Sequence, residues 1–233
     1  TENSTFEHPG FSGGLPNQLN DPMRSINRYL IDQETTLETI EEILSNRVWD
    51  NDDLRIVHVD LDYVFDPDPI QQEQNLDRLI ERISRYGVST VYLQAYADPD
   101  GDGVADALYF PNRHLPVRAD LFNRVAWQLK KRANVKVYAW MPVLSFDLGS
   151  GYQYVTDVRT GQESPDQYRR LSPYVQENRN TIREIYLDLG RLTKFDGLLF
   201  HDDAFFTDFE DASPAALDAY ERASLPRDIN AIR

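Results

Sequence analysis

Apolar residues along the chain follow two spacings from about residue 54 onward. Short runs that are apolar at every second position, or continuously, predict β-strands, whereas longer segments with apolar residues three or four positions apart predict amphipathic helices. The predicted strands cover residues 54–65, 88–97, 135–144 and 195–204. The predicted helices cover residues 69–87, 120–133, 173–192 and 214–223. Strands that alternate with helices of this length indicate a parallel sheet with right-handed crossovers.

Four β/α units amount to half of an eight-stranded TIM-type barrel, which usually needs about 250 residues. A complete, doubly wound open sheet is the alternative. The first predicted strand, however, lacks the glycine-rich G-x-G-x-x-G turn that such folds usually carry at that point. We therefore predict an α/β fold that contains the first four β/α units of a barrel, and we expect the barrel to continue beyond Arg233.

The region before the first predicted strand has a different character. Residues 1–28 are rich in Gly, Pro, Asn and Ser without a hydrophobic period, which indicates a linker or an extended arm. Apolar residues near helical spacing predict a short amphipathic helix over residues 31–44. We thus expect two parts, a linker with a short helix over residues 1–50 and the N-terminal half of a barrel over residues 51–233.

Composition changes this picture mainly through charge. The chain of 233 residues has 39 acidic and 24 basic side chains, which gives a formal net charge of -15. Such a field repels phosphate backbones, so we expect no nucleic-acid partner. An acidic chain in which 12% of the residues are aromatic suits a sugar polymer that carries ammonium groups, although negative charge can equally serve solubility alone. Cysteine is absent, which excludes disulfides and thiolate chemistry.

Polar and aromatic residues are concentrated near the C-terminal ends of the predicted strands. In an extended strand, residues two apart share a face. The sets that share a face are His58, Asp60 and Asp62; Tyr92, Gln94, Tyr96 and Asp98; Tyr138 and Trp140; and Leu199, His201 and Asp203. Barrels of this class place their catalytic groups at those strand ends. A single Asp at a strand end can instead cap the following helix, but four strands repeat the arrangement here.

Glycoside hydrolysis fits this pattern because it needs two carboxyl groups beside one bond, about 5 to 5.5 Å apart for retention and about 6.5 to 9.5 Å apart for inversion. Asp202 and Asp203 would point to opposite faces of an extended strand, and parity puts Asp203 in the inner set. Its partner is then expected from another strand or loop. The candidates are Asp60, Asp62 and Asp98, followed by Asp208 and Glu210, with a residue of the other half of the barrel as an equal alternative. The chain has no G-x-S-x-G elbow, so acyl transfer is disfavoured.

The loop at residues 98–106, DPDGDGVAD, is rich in Asp and Gly. Asp98, Asp100, Asp102 and Gly103 match the opening of a calcium-binding loop. The twelfth position is Tyr109 rather than the bidentate Glu that such loops require, and a strand precedes the loop. A solvated turn or an acidic lip of a groove is the alternative. We predict no other metal and no cofactor.

Several long motifs together resemble a known family. They are HVDLDYVFDPDPIQQEQNLDRLI, STVYLQAYADPDGDG, YFPNRHLP, ADLFNRVAWQLK, VYAWMPVLSFDL, YRRLSP and FDGLLFHDDAFFTDFEDAS, within about residues 50–225. These segments are similar to the C-terminal domain of bacterial poly-β-1,6-N-acetylglucosamine N-deacetylases of the PgaB and HmsF type. The resemblance implies a β/α-barrel glycoside hydrolase domain that follows a metal-dependent deacetylase domain. It also implies a periplasmic protein that takes part in the export of a biofilm polysaccharide and is associated with the outer membrane.

The resemblance further implies a substrate and a site. The expected partner is the partially de-N-acetylated polymer, whose free glucosamines are cationic, with the deacetylase domain and an outer-membrane export porin as further partners. The residues predicted to be catalytic are Asp60, Asp62, Asp202 and Asp203. The residues predicted to bind substrate are Gln94, Tyr96, Asp98, Trp140, His201, Asp208 and Glu210. The chain lacks the deacetylase's metal-binding motifs. We therefore expect polymer hydrolysis, or alternatively polymer binding without cleavage.

Overall fold

The computed structural model describes residues 54–163 and 168–227. The linker predicted for residues 1–50, with its helix at 31–44, lies outside the described residues. In chain order, the elements are β1 (Ile56–Val59), α1 (Pro69–Arg85), β2 (Thr90–Gln94), β3 (Tyr96–Ala97), β4 (Ala107–Leu108), α2 (Phe122–Gln128), β5 (Lys136–Met141), α3 (Gln176–Leu192), β6 (Gly197–Phe200) and α4 (Pro214–Arg222). Over these two ranges, no helix has the length and apolar character that crossing a bilayer requires.

Four of the strands form one parallel sheet in the order β1-β2-β5-β6. The spatial order follows the chain, and each crossover contains a helix, which is the arrangement of consecutive units in a β/α barrel. The sheet is not closed within the described residues. The structure is therefore a partial barrel, which confirms the predicted fold class. The two remaining strands, β3 and β4, pair with each other as a short antiparallel sheet directly after β2.

The two faces of the main sheet differ in burial. The fully buried face carries Val91, Leu93, Val137, Ala139 and Met141. These residues belong to one core with apolar side chains of α1, α2 and α3. The opposite face carries Tyr92, Tyr138 and Trp140, which are only half-buried. The helices therefore cover one face, and the aromatic face corresponds to the inside of a barrel.

The boundaries of α1 follow from local chemistry. The carboxylate of Asp68 accepts a hydrogen bond from the Ile70 amide at 3.0 Å and thereby caps the helix. Pro69 suits the first helical position, where an amide has no partner within the helix. Gly87 follows the last turn with a φ of 59°, a conformation that favours glycine and stops the helix. The predicted helix is thus confirmed with nearly the same bounds.

The first and fourth strands end earlier than predicted. β1 stops at Val59 because the Asp60 side chain accepts a hydrogen bond from the Asp62 amide and starts a 3-10 turn, Leu61–Tyr63. β6 stops at Phe200 and is followed by a second 3-10 turn, Asp202–Ala204. Alternation of faces does not continue into these turns. Parity therefore does not determine the faces of the aspartates after each strand.

Three other boundaries differ from the prediction. The strand predicted at 88–97 is divided at Ala95, whose amide bonds to β5 while its carbonyl accepts from the Tyr109 amide, so that the chain changes partners there. The helix predicted at 120–133 is α-helical only to Gln128 and continues as a π turn to Ala133. The helix predicted from 173 begins at Gln176.

β6 is an edge strand of the sheet within the described part of the chain. Its side chains Leu198 and Phe200 are 38% and 58% exposed. Complete barrels pair and cover such a strand, since an open edge leaves backbone hydrogen-bonding groups unpaired. The exposed side chains mark where the partial barrel lacks a neighbour.

Candidate functional site

The carboxyl ends of the four parallel strands lie along one rim of the sheet, and aromatic side chains pack beneath it. This group, which we call the aromatic floor, consists of His58, Tyr92, Tyr96, Tyr138, Trp140, Tyr168 and His201. Ring centroids of contacting members are 4.9 to 6.5 Å apart. Strand register accounts for part of the group, because His58, Tyr92 and Tyr138 lie side by side on neighbouring strands.

Trp140 lies at the centre of the aromatic floor. Its indole stacks on the His201 imidazole with centroids 5.5 Å apart, and the His58 ring lies 4.9 Å away. Tyr96 meets the indole edge-on at 5.9 Å but is only 2% exposed. The structure thus brings together the predicted residues Tyr96, Trp140 and His201, with Tyr96 supporting the floor from below.

Asp60 is a partly buried carboxyl at the end of β1. One of its oxygens accepts the Asp62 amide at 2.7 Å. Burial raises the pKa of Asp60 to about 6, and the negative charges of Asp62 and Asp98 add to this effect. A carboxyl with a pKa of about 6 is half protonated at about pH 6 and keeps its proton in roughly a tenth of the molecules at pH 7, so it can serve as a proton donor in glycoside hydrolysis.

Asp62 has a different environment, although it shares a turn with Asp60. One of its carboxylate oxygens forms an ion pair with Arg118 and accepts the Tyr109 hydroxyl at 2.5 Å. The other oxygen accepts the Asp98 amide at 2.9 Å. Asp62 therefore links the turn after β1 to the loops that follow β3 and β4.

Asp202 and Asp203 lie in opposite environments. The Asp202 side chain is 60% exposed, lies 3.1 Å from Nδ1 of His201, and is hydrogen-bonded to Tyr168. The Asp203 side chain is completely buried and accepts the amides of three consecutive residues in the loop after β5. Those residues are Val143, Leu144 and Ser145, with the two shortest distances at 2.6 Å. Asp202 is therefore the accessible carboxylate of the pair, and Asp203 joins two strand ends.

The acidic loop at 98–106 folds around Asp98. Its carboxylate accepts the amides of Gly101, Asp102 and Gly103 at 2.8 to 3.1 Å. Ligand atoms of Asp98, Asp100 and Asp102 lie within 4.8 Å of one another. Burial raises the pKa of Asp98, and hydrogen bonds from the Gly103 and Gly101 amides oppose that rise. The loop provides an acidic lip beside Asp60, and calcium binding to it stays a prediction.

Three further predicted residues have surroundings of their own. Gln94 is buried and donates a hydrogen bond to the Tyr96 carbonyl at 3.1 Å. Glu210 forms an ion pair with Arg170 at 2.6 Å, in which the two side chains are only 1% and 2% exposed. Asp208 is exposed and borders a cavity of about 290 Å³ that shares no residue with the aromatic floor. Neither the Gln94 hydrogen bond nor the Glu210 ion pair involves Asp60 or Asp202.

Two residues of the site escaped the sequence analysis. Tyr168 contacts the His201 ring at 5.0 Å and bonds to Asp202, and burial together with Asp202 raises its pKa. It lies in a long loop without periodicity, and only the YRRLSP motif pointed to that segment. Arg118 lies in the loop after β4, where one basic residue among many gave no signal. Both reach the rim through loop conformation, which periodicity does not report.

Comparisons with known proteins agree with this geometry. A family model described as hypothetical glycosyl hydrolase family 13 matches residues 58–233. The chain is 46% identical over 214 residues to the poly-β-1,6-N-acetyl-D-glucosamine N-deacetylases of Escherichia coli strains K12 and O157:H7. That match covers 90% of this chain, which spans only 32% of the length of those relatives.

A solved structure is also similar to this chain. It is the PgaB (BpsB) glycoside hydrolase domain from Bordetella bronchiseptica, with 55% sequence identity and a TM-score of 0.69. The match covers 77% of this chain and 53% of that one. The family match includes all four strands of the main sheet except the first residues of β1, together with both 3-10 turns of the rim. The chain therefore belongs to this glycosyl hydrolase family, and it is similar to the glycoside hydrolase domain of PgaB.

Proposed function

We propose that this domain binds partially de-N-acetylated poly-β-1,6-N-acetylglucosamine and hydrolyses its glycosidic bonds. The observation that carries the proposal is the contrast between two carboxyls of one rim. Asp60 is partly buried with a pKa of about 6, whereas Asp202 is exposed. Glycosidases typically use two carboxyls in different environments, one as the acid and the other as the nucleophile or base.

In the proposed reaction, protonated Asp60 donates its proton to the glycosidic oxygen as the bond to the anomeric carbon breaks. Asp202 acts on the other side of the sugar, either as the nucleophile or as the base that takes a proton from water. Water supplies the hydroxyl of the new reducing end, so that atoms balance over the reaction. Tyr168 holds the Asp202 carboxylate through its hydroxyl. Asp62 and Asp203 keep the rim in shape and do not touch the reacting atoms.

The charge and shape of the rim support a cationic polysaccharide as the substrate. The Asp98 loop lies on one side of Asp60, and the chain as a whole carries a formal charge of -15. Free glucosamine units carry ammonium groups, which such a field attracts. Half-buried Trp140 offers a ring for contact with a sugar. The relatives from Escherichia coli are named as deacetylases of the corresponding acetylated polymer.

The proposal predicts large losses of activity at two positions. Asp60→Asn and Asp202→Asn in the full chain should each reduce hydrolysis about 10²-fold to 10⁴-fold, because each removes an acid or base function. Shortened oligosaccharides are measured by mass spectrometry after incubation with partially de-N-acetylated polymer. The matched control is Asp77→Asn, which removes an exposed carboxylate of α1 and should leave the rate unchanged. Normal rates in both test variants would show that the assignment is wrong.

The proposal also predicts how the rate of hydrolysis depends on pH. Because the folded pKa of Asp60 is about 6, the rate should fall as pH rises through that value and Asp60 loses its proton. A rate that stays constant from pH 5 to about pH 8 would contradict a donor role for Asp60.

A binding module without catalysis is the second candidate. It is favoured by the structural use of several predicted carboxylates, since Asp62, Asp203 and Glu210 are all committed to bonds within the protein. This candidate predicts polymer binding by calorimetry with no shortened products. Any enzyme-dependent increase in reducing ends excludes it. A periplasmic location, a neighbouring deacetylase domain and an export porin as partner belong to the same proposal and rest on the resemblance alone.

A further inference from the structure

Arg118 lies in the loop after β4 and contacts the turn after β1. Its guanidinium pairs with Asp62 and lies 4.5 Å from the centre of the Phe65 ring. The side chains of Arg118 and Asp62 are only 28% and 14% exposed. A partly desolvated pair of this kind keeps more of its charge interaction than a surface pair does. The contact therefore fixes Arg118 relative to the 3-10 turn Leu61–Tyr63.

The same pair is connected to Asp60 through the backbone. The Asp62 amide donates to the Asp60 carboxylate at 2.7 Å, while the Asp62 carboxylate accepts from Arg118, Tyr109 and the Asp98 amide. Asp62 is thus the single residue that connects Arg118 to Asp60.

The groups that face Asp60 come from three parts of the chain. Asp62 belongs to its own turn, Tyr96 and Asp98 follow β2, and Tyr109 and Arg118 follow β4. Among the charged members, Asp62 and Asp98 are negative and Arg118 is positive. Arg118 is thus the cation that opposes two carboxylates in the field at Asp60.

We propose that Arg118 is a positioning residue for Asp60: through Asp62 it fixes the turn that begins at Asp60, and its charge offsets the carboxylates around it. The inference rests on the proposed function, in which Asp60 is the proton donor. It assigns to Arg118 and Asp62 opposite effects on one carboxyl. A positive charge nearby favours the ionised form of Asp60, and a negative charge nearby favours the protonated form.

The test is a carboxyl-carbon NMR titration of Asp60 in the full 233-residue chain. Arg118→Met should raise the pKa of Asp60 by about 0.5 to 1 unit, and Asp62→Asn should lower it by a similar amount. Arg118→Lys keeps the charge and should restore a value close to that of the unmodified chain. Arg124→Met is the matched control, because it breaks an ion pair with Glu73 on the protein surface and should leave Asp60 unchanged.

Shifts of opposite sign in the two variants support the inference, because a loss of structure alone would move Asp60 in the same direction in both. Shifts of the same sign, or no shift, overturn it. If Arg118→Met does not fold, Arg118→Gln takes its place and is judged by the same criterion of opposite shifts. The NMR readout does not depend on activity, so a chain that cleaves no polymer refutes the proposed function and leaves the titration result valid.

If the chain is active, the pH-rate profile gives a second reading. Arg118→Met should move the alkaline limb to higher pH and Asp62→Asn should move it to lower pH, each by the shift that NMR measures. Limbs that stay in place while the NMR values move would show that Asp60 is not the group whose proton controls the rate.

Discussion

Asp202 and Asp203 are neighbours in the chain, yet one carboxylate is exposed and the other is the most enclosed acid of the rim. The buried carboxylate of Asp203 is stable because three backbone amides replace the water it lost. Such bonds join the loop after β5 to the turn after β6. At the scale of single residues, two adjacent aspartates therefore have different roles: Asp202 is accessible to a ligand, and Asp203 is structural.

We therefore expect the same substitution to change the free energy of unfolding much more at Asp203 than at Asp202. Asp203→Asn should lower the free energy of unfolding by about 2–4 kcal/mol, because an amide group replaces one acceptor oxygen of a buried carboxylate. Asp202→Asn should change it by less than about 0.5 kcal/mol, since the side chain is mostly exposed. Urea unfolding followed by circular dichroism measures both. Equal stability of the two variants would contradict the structural role of Asp203.

Strand register aligns the aromatic floor at the scale of elements. Tyr138 lies opposite Tyr92 on one side and Gly197 on the other. An added Cβ at Gly197 would come within 2.4 Å of the Tyr138 ring. Because Gly197 has no side chain, the Tyr138 ring can occupy the space beside it. The packing of β5 against β6 therefore depends on this glycine.

Gly197→Ala should destabilise the protein by about 1–3 kcal/mol through overpacking against Tyr138. Gly190→Ala is the matched control, because nothing lies within 4 Å of an added Cβ on that helical residue. The control should be neutral or stabilising by up to about 1 kcal/mol, as expected for alanine in a helix. Thermal unfolding of both variants checks the prediction, which fails if the two are equally stable.

Periodicity predicted all four strands of the main sheet and their helices, because burial on one face imposes a spacing on every regular element. It extended the strands too far at Asp60 and at Asp202, where side-chain hydrogen bonds and 3-10 turns replace the extended chain. The rim was thus correctly located, whereas its division into accessible and buried carboxylates was not. Contacts such as those of Arg118 and Tyr168 depend on loop conformation and leave no periodic signal.

Charge and shape act together at the scale of the whole molecule. The formal charge of -15 gives the chain a field of one sign, and the acidic loop at 98–106 concentrates part of it beside the aromatic floor. Burial and the neighbouring carboxylates also raise the pKa of Asp106. The negative field would attract a polymer with ammonium groups over a distance, and contacts between its sugars and the aromatic floor would form afterwards.

Binding of partially de-N-acetylated polymer should therefore weaken by about tenfold between 20 mM and 500 mM salt, because added ions screen exposed charges. Fully acetylated polymer of the same length is the control and should show little dependence on salt. Calorimetry at constant pH measures both affinities. Equal salt dependence for the two polymers would exclude the ammonium groups as the feature recognised.

The exposed side of the edge strand β6 differs chemically from the acidic rim of the sheet. Leu198 and Phe200 expose apolar surface on this edge strand, whereas the rim of the sheet carries acidic side chains. An exposed apolar edge strand favours association between copies, and the like charges of the rim oppose association there. We therefore expect substitutions at Leu198 or Phe200 to change self-association without changing the rim.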